Sequence, residues 1–245
     1  MLIAARSIVT YLLVLVYIAI AGPLGLFFAL VLRWKDGLWA LGHTGVALAL
    51  GLAGIRYRVR GREHIPSEPA VFCSNHESNV DPPVLFRALH RRLHILYKAE
   101  LHKFPIMGAV FDVGGFVPVD RSNLQRSMAS LDRGAQSLRS GNPFLIFPEG
   151  TRSRTGQLLP FKKGGFIMAI KAQVPVVPVA VRGGRAAMRK GSPWVRPVLV
   201  DVTVGQPIPT AGLTLDDRDD LIERVRTAVA GLLAASAEGQ GPGRH

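Results

Sequence analysis

Ala70-Val71-Phe72-Cys73-Ser74-Asn75-His76-Glu77-Ser78-Asn79-Val80-Asp81-Pro82-Pro83 holds a strand, a turn and a helix start in one continuous stretch. Ala70 to Ser74 is a short apolar run of the length a buried strand needs. Asp81 before two prolines has the chemistry of an N-cap, with proline pre-set for the first helical turn. His76 and Asp81 are five positions apart, so a continuous helix would not put them on one face, but a turn between strand and helix would bring them together. A carboxylate that accepts the imidazole Nδ1–H fixes the tautomer and leaves Nε2 as a base. The plainer alternative is that Asp81 only caps its helix and His76 is an ordinary loop residue.

The same strand-to-helix alternation continues outward from this junction. Gly115 to Val119, Phe144 to Phe147, Val174 to Val181 and Val198 to Val204 read as strands. Between them, Ser122 and Gln125 have capping-box spacing, and Leu124, Met128, Leu131, Ala135 and Leu138 form one helical stripe that Gly141 and Pro143 end. Gly165 to Ala172 and Leu215 to Leu233 are further helices, and Glu238 to His245 is a loose tail. This pattern predicts an α/β domain on a largely parallel or mixed sheet flanked by helices.

Upstream, Ile8 to Leu32 carries no charged residue and only Pro23 as a helix breaker, which is long enough to cross a hydrocarbon core. A polar stretch, Arg33 to Gly37, separates it from a second apolar run, Leu38 to Ile55, interrupted by His43 and glycines. The pair reads as a helical hairpin that spans or dips into a membrane, giving a membrane-associated segment over 1–55, a catalytic domain over 56–236 and a tail over 237–245. A cleaved signal peptide fits poorly, because the apolar run is too long. Arg56, Arg58, Arg60 and Arg62 then recur every second residue, which on a strand places the charges on one face. Either that face is simply solvated or it meets anionic headgroups.

With 48% hydrophobic residues and a net charge of +13, the 245-residue chain suits a partner that is both apolar and anionic, such as membrane lipid. A nucleic-acid binder would need a recognition helix, a zinc module or an aromatic-rich sheet, and none is present in the sequence. Cys73 is the one cysteine, so no intramolecular disulfide forms.

Phe147-Pro148-Glu149-Gly150-Thr151-Arg152-Ser153-Arg154 is the second polar constellation at a strand end. Gly150 permits a sharp turn, Thr151 and Ser153 offer hydroxyls, and Arg152 and Arg154 offer planar forks suited to phosphate. The Gly-Lys-Ser/Thr pattern of nucleotide loops is absent, so the signal is phosphate in general. The plainer alternative is a polar surface turn.

Taken together, the two constellations resemble the glycerolipid acyltransferase family that includes the 1-acyl-sn-glycerol-3-phosphate acyltransferases. Asn75 to Asp81 fits its Asn-His-x-x-x-x-Asp motif. Lys98 to Leu101 and Gly115 to Arg121 look like its second motif, Phe147 to Arg152 its third, and Val174 to Val179 its fourth. Pro118 within Val117-Pro118-Val119-Asp120-Arg121 departs from the usual pattern. The resemblance implies that His76 is the general base and Asp81 orients it. It implies that Glu149, Gly150, Thr151 and Arg152 bind the acceptor, with Arg121 a further phosphate contact and Lys98 near the thioester or phosphate. Val174 to Val179 is core strand rather than a ligand site. It further implies an acyl-CoA or acyl-carrier-protein donor, a lysophospholipid acceptor such as 1-acylglycerol-3-phosphate, no cofactor and no metal. Another lysophospholipid or glycerol-3-phosphate is the alternative acceptor, and a non-catalytic anionic-lipid-binding protein is the alternative class. The cytoplasmic membrane, with the catalytic domain facing the cytoplasm, is the expected location.

Three rival sites are weaker. Cys73 alternates into a strand core rather than a nucleophile's position. His76, Glu77 and Asp81 lack the second histidine of a His-Glu-x-x-His metal motif, since Val80 stands there. His90, His94 and His102 lie in a basic stretch and are read as surface residues.

Overall fold

The computed structural model describes residues 1–89, 92–120 and 124–238. Two long helices, α1 (Leu2–Leu30) and α2 (Lys35–Ala53), precede the sheet. The strands are β1 (Ile55–Arg60), β2 (Val71–Ser74), β3 (His94–Lys98), β4 (Val117–Val119), β5 (Phe144–Ile146), β6 (Val176–Arg182) and β7 (Val198–Val204). They form one seven-stranded sheet in the order β1-β7-β6-β2-β5-β3-β4. Every neighbouring pair is parallel except β6 with β7, which makes the sheet mixed.

Alternation along each strand divides the core in two. Phe72, Leu145, Val177 and Val179 point to a layer with Val84, Leu85 and Leu89 of α3 (Asp81–Ala88) and its C-terminal flank, and with Leu50 and Ala53 of α2. Val71, Cys73, Phe144 and Ile146 point to the other layer. There they meet Ala135 and Leu138 of α5 (Leu124–Arg139), Phe166 and Met168 of α6 (Gly164–Ala172), and Leu221, Val225 and Val229 of α8 (Arg218–Glu238). Helices on both faces bury the central strands, which is why those strands are nearly continuous apolar runs, while β1 at the edge keeps exposed residues. The remaining helices are α4 (Pro105–Val113) and the single turn α7 (Gly184–Ala187) after β6.

The apolar runs at the N-terminus do form a hairpin of helices. α1 is the one helix among the described residues long and apolar enough to cross a membrane, and nearly all of its large apolar side chains are exposed. α1 and α2 also pack on the sheet domain. Gly22 of α1 lies under Ile106 of α4, and Trp39 of α2 stacks 5.6 Å from Phe86 of α3.

Two expectations need correction. His94 is buried, its ring between Trp39, Phe116 and Phe144, and burial pushes its pKa down. It opens β3, a strand hidden in the sequence by flanking basic residues. Asp81 is no N-cap: it lies in the first turn of α3 after the capping Val80, and its carboxylate turns back to the preceding loop. Arg121, Ser122 and His90 lie outside the described residues.

Candidate active site

Two loops at the carboxyl ends of adjacent parallel strands build the site, the usual place for ligands in an open α/β sheet. The chain leaves β2 at Asn75, whose carboxamide donates to Val181 O at 2.9 Å and accepts from Val181 N at 2.7 Å. This side-chain pairing replaces one rung of the ladder to β6 and starts the turn. His76 is held next by both backbone groups: its N–H donates to Glu149 Oε1 at 2.7 Å, and its carbonyl accepts from Ser153 N at 2.8 Å. The imidazole stacks on Phe147, ring centres 4.2 Å apart.

His76 Nδ1 lies 2.9 Å from Asp81 Oδ2, and the same oxygen accepts the N–H groups of Glu77 and Ser78 at 2.7 Å each. Asp81 is fully buried. A carboxylate can only accept, so Nδ1 carries the proton and Nε2 has the lone pair. Nε2 makes no hydrogen bond among the described residues. Gly184 closes the far side, where a Cβ would collide with Asp81 Oδ1.

Glu149 does not face outward. It is buried, one carboxylate oxygen taken by His76 N and the other by Leu159 N at 3.0 Å, so it clamps the β5 loop to the histidine. Burial raises its pKa against the lowering effect of those two donors. Gly150 has φ +68°, a left-handed turn in which a Cβ would press on the Lys162 side chain. Thr151 Oγ1 and the Arg152 carbonyl both accept from Lys190 Nζ, at 2.9 and 3.1 Å. The half-buried Arg152 guanidinium makes no hydrogen bond or ion pair among the described residues. Lys98 ends β3 exposed, paired with Glu100 at 3.0 Å and touching none of these groups.

His76, Asp81, Glu149, Gly150, Thr151 and Arg152 are thus brought together, and Lys98 is not. Cys73 is sealed in the core, and burial together with the Glu149 charge pushes its thiol pKa well up. Among the described residues, no group of three or more His, Cys, Asp or Glu is arranged to hold a metal ion. Sequence reading weighed Glu77 only as a metal ligand and passed over Lys190. Glu77 is buried beside Asp81, and burial first, then Asp81 and Glu149, raise its pKa to about 7. The one signal for Lys190 was the run of basic residues from Arg182 onward.

Two cavities flank the dyad. One, of about 390 Å³, is almost wholly apolar and lies between the N-terminal helices and the sheet domain, with Tyr17, Leu38, Trp39, Pro82, Phe86 and Leu145 among its walls. The other, of about 500 Å³, has walls of mixed character and takes in Glu77, Gln157, Arg182, Arg185 and Arg189 beside Ala186 and Leu233.

The family model described as Acyltransferase matches residues 56–182. A protein of Limnanthes douglasii named 1-acyl-sn-glycerol-3-phosphate acyltransferase is 33% identical over 86% of this chain and 77% of its own length. The human 1-acyl-sn-glycerol-3-phosphate acyltransferase alpha is 35% identical over 79% of this chain and 70% of its own. The crystal structure of the 1-acyl-sn-glycerophosphate acyltransferase PlsC from Thermotoga maritima superposes with a TM-score of 0.82, covering 99% of this chain and 98% of that one at 24% identity. At that identity the likeness speaks for the fold, including the paired N-terminal helices.

Proposed function

The chain belongs to the acyltransferase family, and from that premise we propose that it is a 1-acylglycerol-3-phosphate O-acyltransferase. The reaction moves a fatty acyl group from a thioester to the sn-2 hydroxyl and yields phosphatidate. The observation that carries the mechanism is the oriented imidazole: Asp81 Oδ2 on Nδ1, with Nε2 unengaged at the end of β2. In this reading Nε2 takes the proton as the hydroxyl oxygen attacks the thioester carbonyl. The tetrahedral intermediate collapses with cleavage of the C–S bond, and the imidazolium returns the proton to the departing thiolate. Asp81 keeps the tautomer and stabilises the imidazolium without itself being protonated.

The substrate roles follow the surroundings. Arg152, whose guanidinium has no protein partner among the described residues, suits the acceptor phosphate; Arg121, outside the described residues, is kept as a second contact on the motif resemblance alone. Glu149 and Gly150 shape the loop, and Thr151 sits at its rim. The apolar cavity beside Pro82 suits an acyl chain, and Lys98 is left a remote, electrostatic part at most. No cofactor enters the reaction; the donor is acyl-CoA or acyl-carrier protein. Exposed apolar side chains along α1 support anchoring through residues 1–55, with residues 56–236 as the transferase domain at the cytoplasmic membrane, facing the cytoplasm.

The test is acyl transfer to 1-acylglycerol-3-phosphate by purified protein. Wild type should form phosphatidate, and His76→Ala should lose roughly 10²–10⁴ in kcat, the usual worth of a positioned general base. Arg152→Ala should raise the acceptor KM by about ten-fold or more, as loss of a charged hydrogen bond does. A His76→Ala protein of wild-type rate would remove the histidine from the chemistry.

A further inference from the structure

The arginine-lined cavity is not used by the mechanism above. Its walls are the end of β6 (Arg182), the turn of α7 (Arg185), the residue run that follows (Arg189), the loop of Thr155, Gly156 and Gln157, and Leu233 of α8. Arg185 Nη1 donates to Thr155 O at 3.1 Å, joining two of these walls. Arg182 at the end of β6, Arg185 in the α7 turn and Arg189 just after it line one space, and buried Glu77 is the one carboxylate among the described residues lining it. An excess of planar, weakly hydrated cations in a concave site is the arrangement that selects phosphate oxygens. At about 500 Å³ the space is also larger than a single phosphate group fills.

Its position gives the ligand. In the sheet order β6-β2-β5-β3, His76 sits after β2, so the Arg182 end of β6 is on one side of it and Leu145 of β5 and Ile95 of β3, both lining the apolar cavity, are on the other. A thioester laid across this edge with its sulfur at His76 has its acyl chain in the apolar cavity and its polar half directed to the arginines. We propose that Arg182, Arg185 and Arg189 form a binding site for the phosphate groups of a nucleotide-linked acyl thioester, the donor being acyl-CoA. This rests on the acyl-transfer reading, and it leaves the acceptor phosphate to Arg152, which does not line this cavity.

The exposed arginines make the cleanest variants: Arg185→Gln, Arg189→Gln and the double change, in full-length protein in mixed micelles. The KM for acyl-CoA should rise about ten-fold in each and further in the double variant, while the KM for 1-acylglycerol-3-phosphate stays within about two-fold of wild type. Adenosine 3′,5′-bisphosphate should compete with acyl-CoA in wild type and lose that effect in the double variant. Equilibrium dialysis of this nucleotide against wild type and double variant reads the site without turnover. Binding by wild type alone supports the proposal even if no acyl transfer is detected, an outcome that would sink the reaction but not the site. A raised acceptor KM with an unchanged donor KM would give the cavity to the lipid phosphate and overturn the proposal. So would unchanged values for both substrates, or transfer from acyl-carrier protein but not from acyl-CoA.

Discussion

At position 184 no side chain fits. A Cβ there would run into the Oδ1 of Asp81, whose other oxygen already receives three N–H groups. Gly184→Ala should therefore push the carboxylate off the imidazole while leaving the sheet intact. The expected result is a drop of at least about ten-fold in kcat with unchanged circular dichroism and acceptor KM; wild-type kcat would show that Asp81 tolerates displacement. Glu77 gives a pH-dependent counterpart. Its carboxyl is raised from 4.5 to about 7, so the folded chain keeps a proton that the unfolded chain gives up between those values. The stabilisation is complete below about pH 4.5 and is lost as pH rises through 7. Glu77→Gln should then match wild type in acid and exceed it at pH 8, by up to about 3 kcal/mol. Thermal unfolding of both proteins across this range checks the sign, and an advantage confined to acid pH would contradict it.

Between elements, the decisive link is one carboxylate. Glu149, on the loop after β5, accepts from the backbone of His76 after β2 and of Leu159 further along its own loop. Glu149→Ala leaves both donors unpaired and should cost about 2–5 kcal/mol, while Glu149→Gln keeps one acceptor and should fall between. Unfolding midpoints ordered wild type, Gln, Ala are the expected outcome; equal midpoints for wild type and Ala would mean the clamp carries no load. The family resemblance implied that Glu149 binds the acceptor, while the structure turns its carboxylate toward the backbone. What turns it inward is a contact 73 residues away in sequence. The reading likewise missed β3, since His94 is flanked by basic residues and is buried only because Trp39, Phe116 and Phe144 surround it.

For the whole molecule, the N-terminal hairpin is both an apolar surface and a wall of the site. α1 exposes apolar side chains along its length, and at about 1.5 Å per residue its 29 residues exceed the roughly 30 Å hydrocarbon core. The apolar cavity takes Tyr17, Ile18, Leu38, Trp39 and Leu41 from these helices. Removing residues 1–54 should abolish salt-resistant membrane association and also reduce long-chain transfer far more than short-chain transfer. A truncated protein that still sediments with membranes in high salt would refute the anchor. Equal loss for all chain lengths would refute the wall. Any residual salt-sensitive binding would fall to Arg56 and Arg60, exposed on β1, since Arg58 is paired with Asp201 at 2.7 Å.

Some of this was decided by the sequence alone. The strand-turn-helix of Ala70 to Pro83, the apolar runs before residue 55 and the helical stripe through Leu131, Ala135 and Leu138 depend on periodicity and turn chemistry within a dozen residues. The meeting of His76 with Asp81 was one of two readings that the spacing left open, and the folded turn decides it. The tertiary structure alone decided the strand order with its antiparallel β6–β7 pair, the inward Glu149, the distance of Lys98 from the histidine, and the anchoring of Thr151 by Lys190. Contacts such as Asn75 with Val181, 106 residues apart, arise when two faces of a sheet are buried at once. Burying both faces depends on which strands become neighbours, and no local pattern encodes that choice.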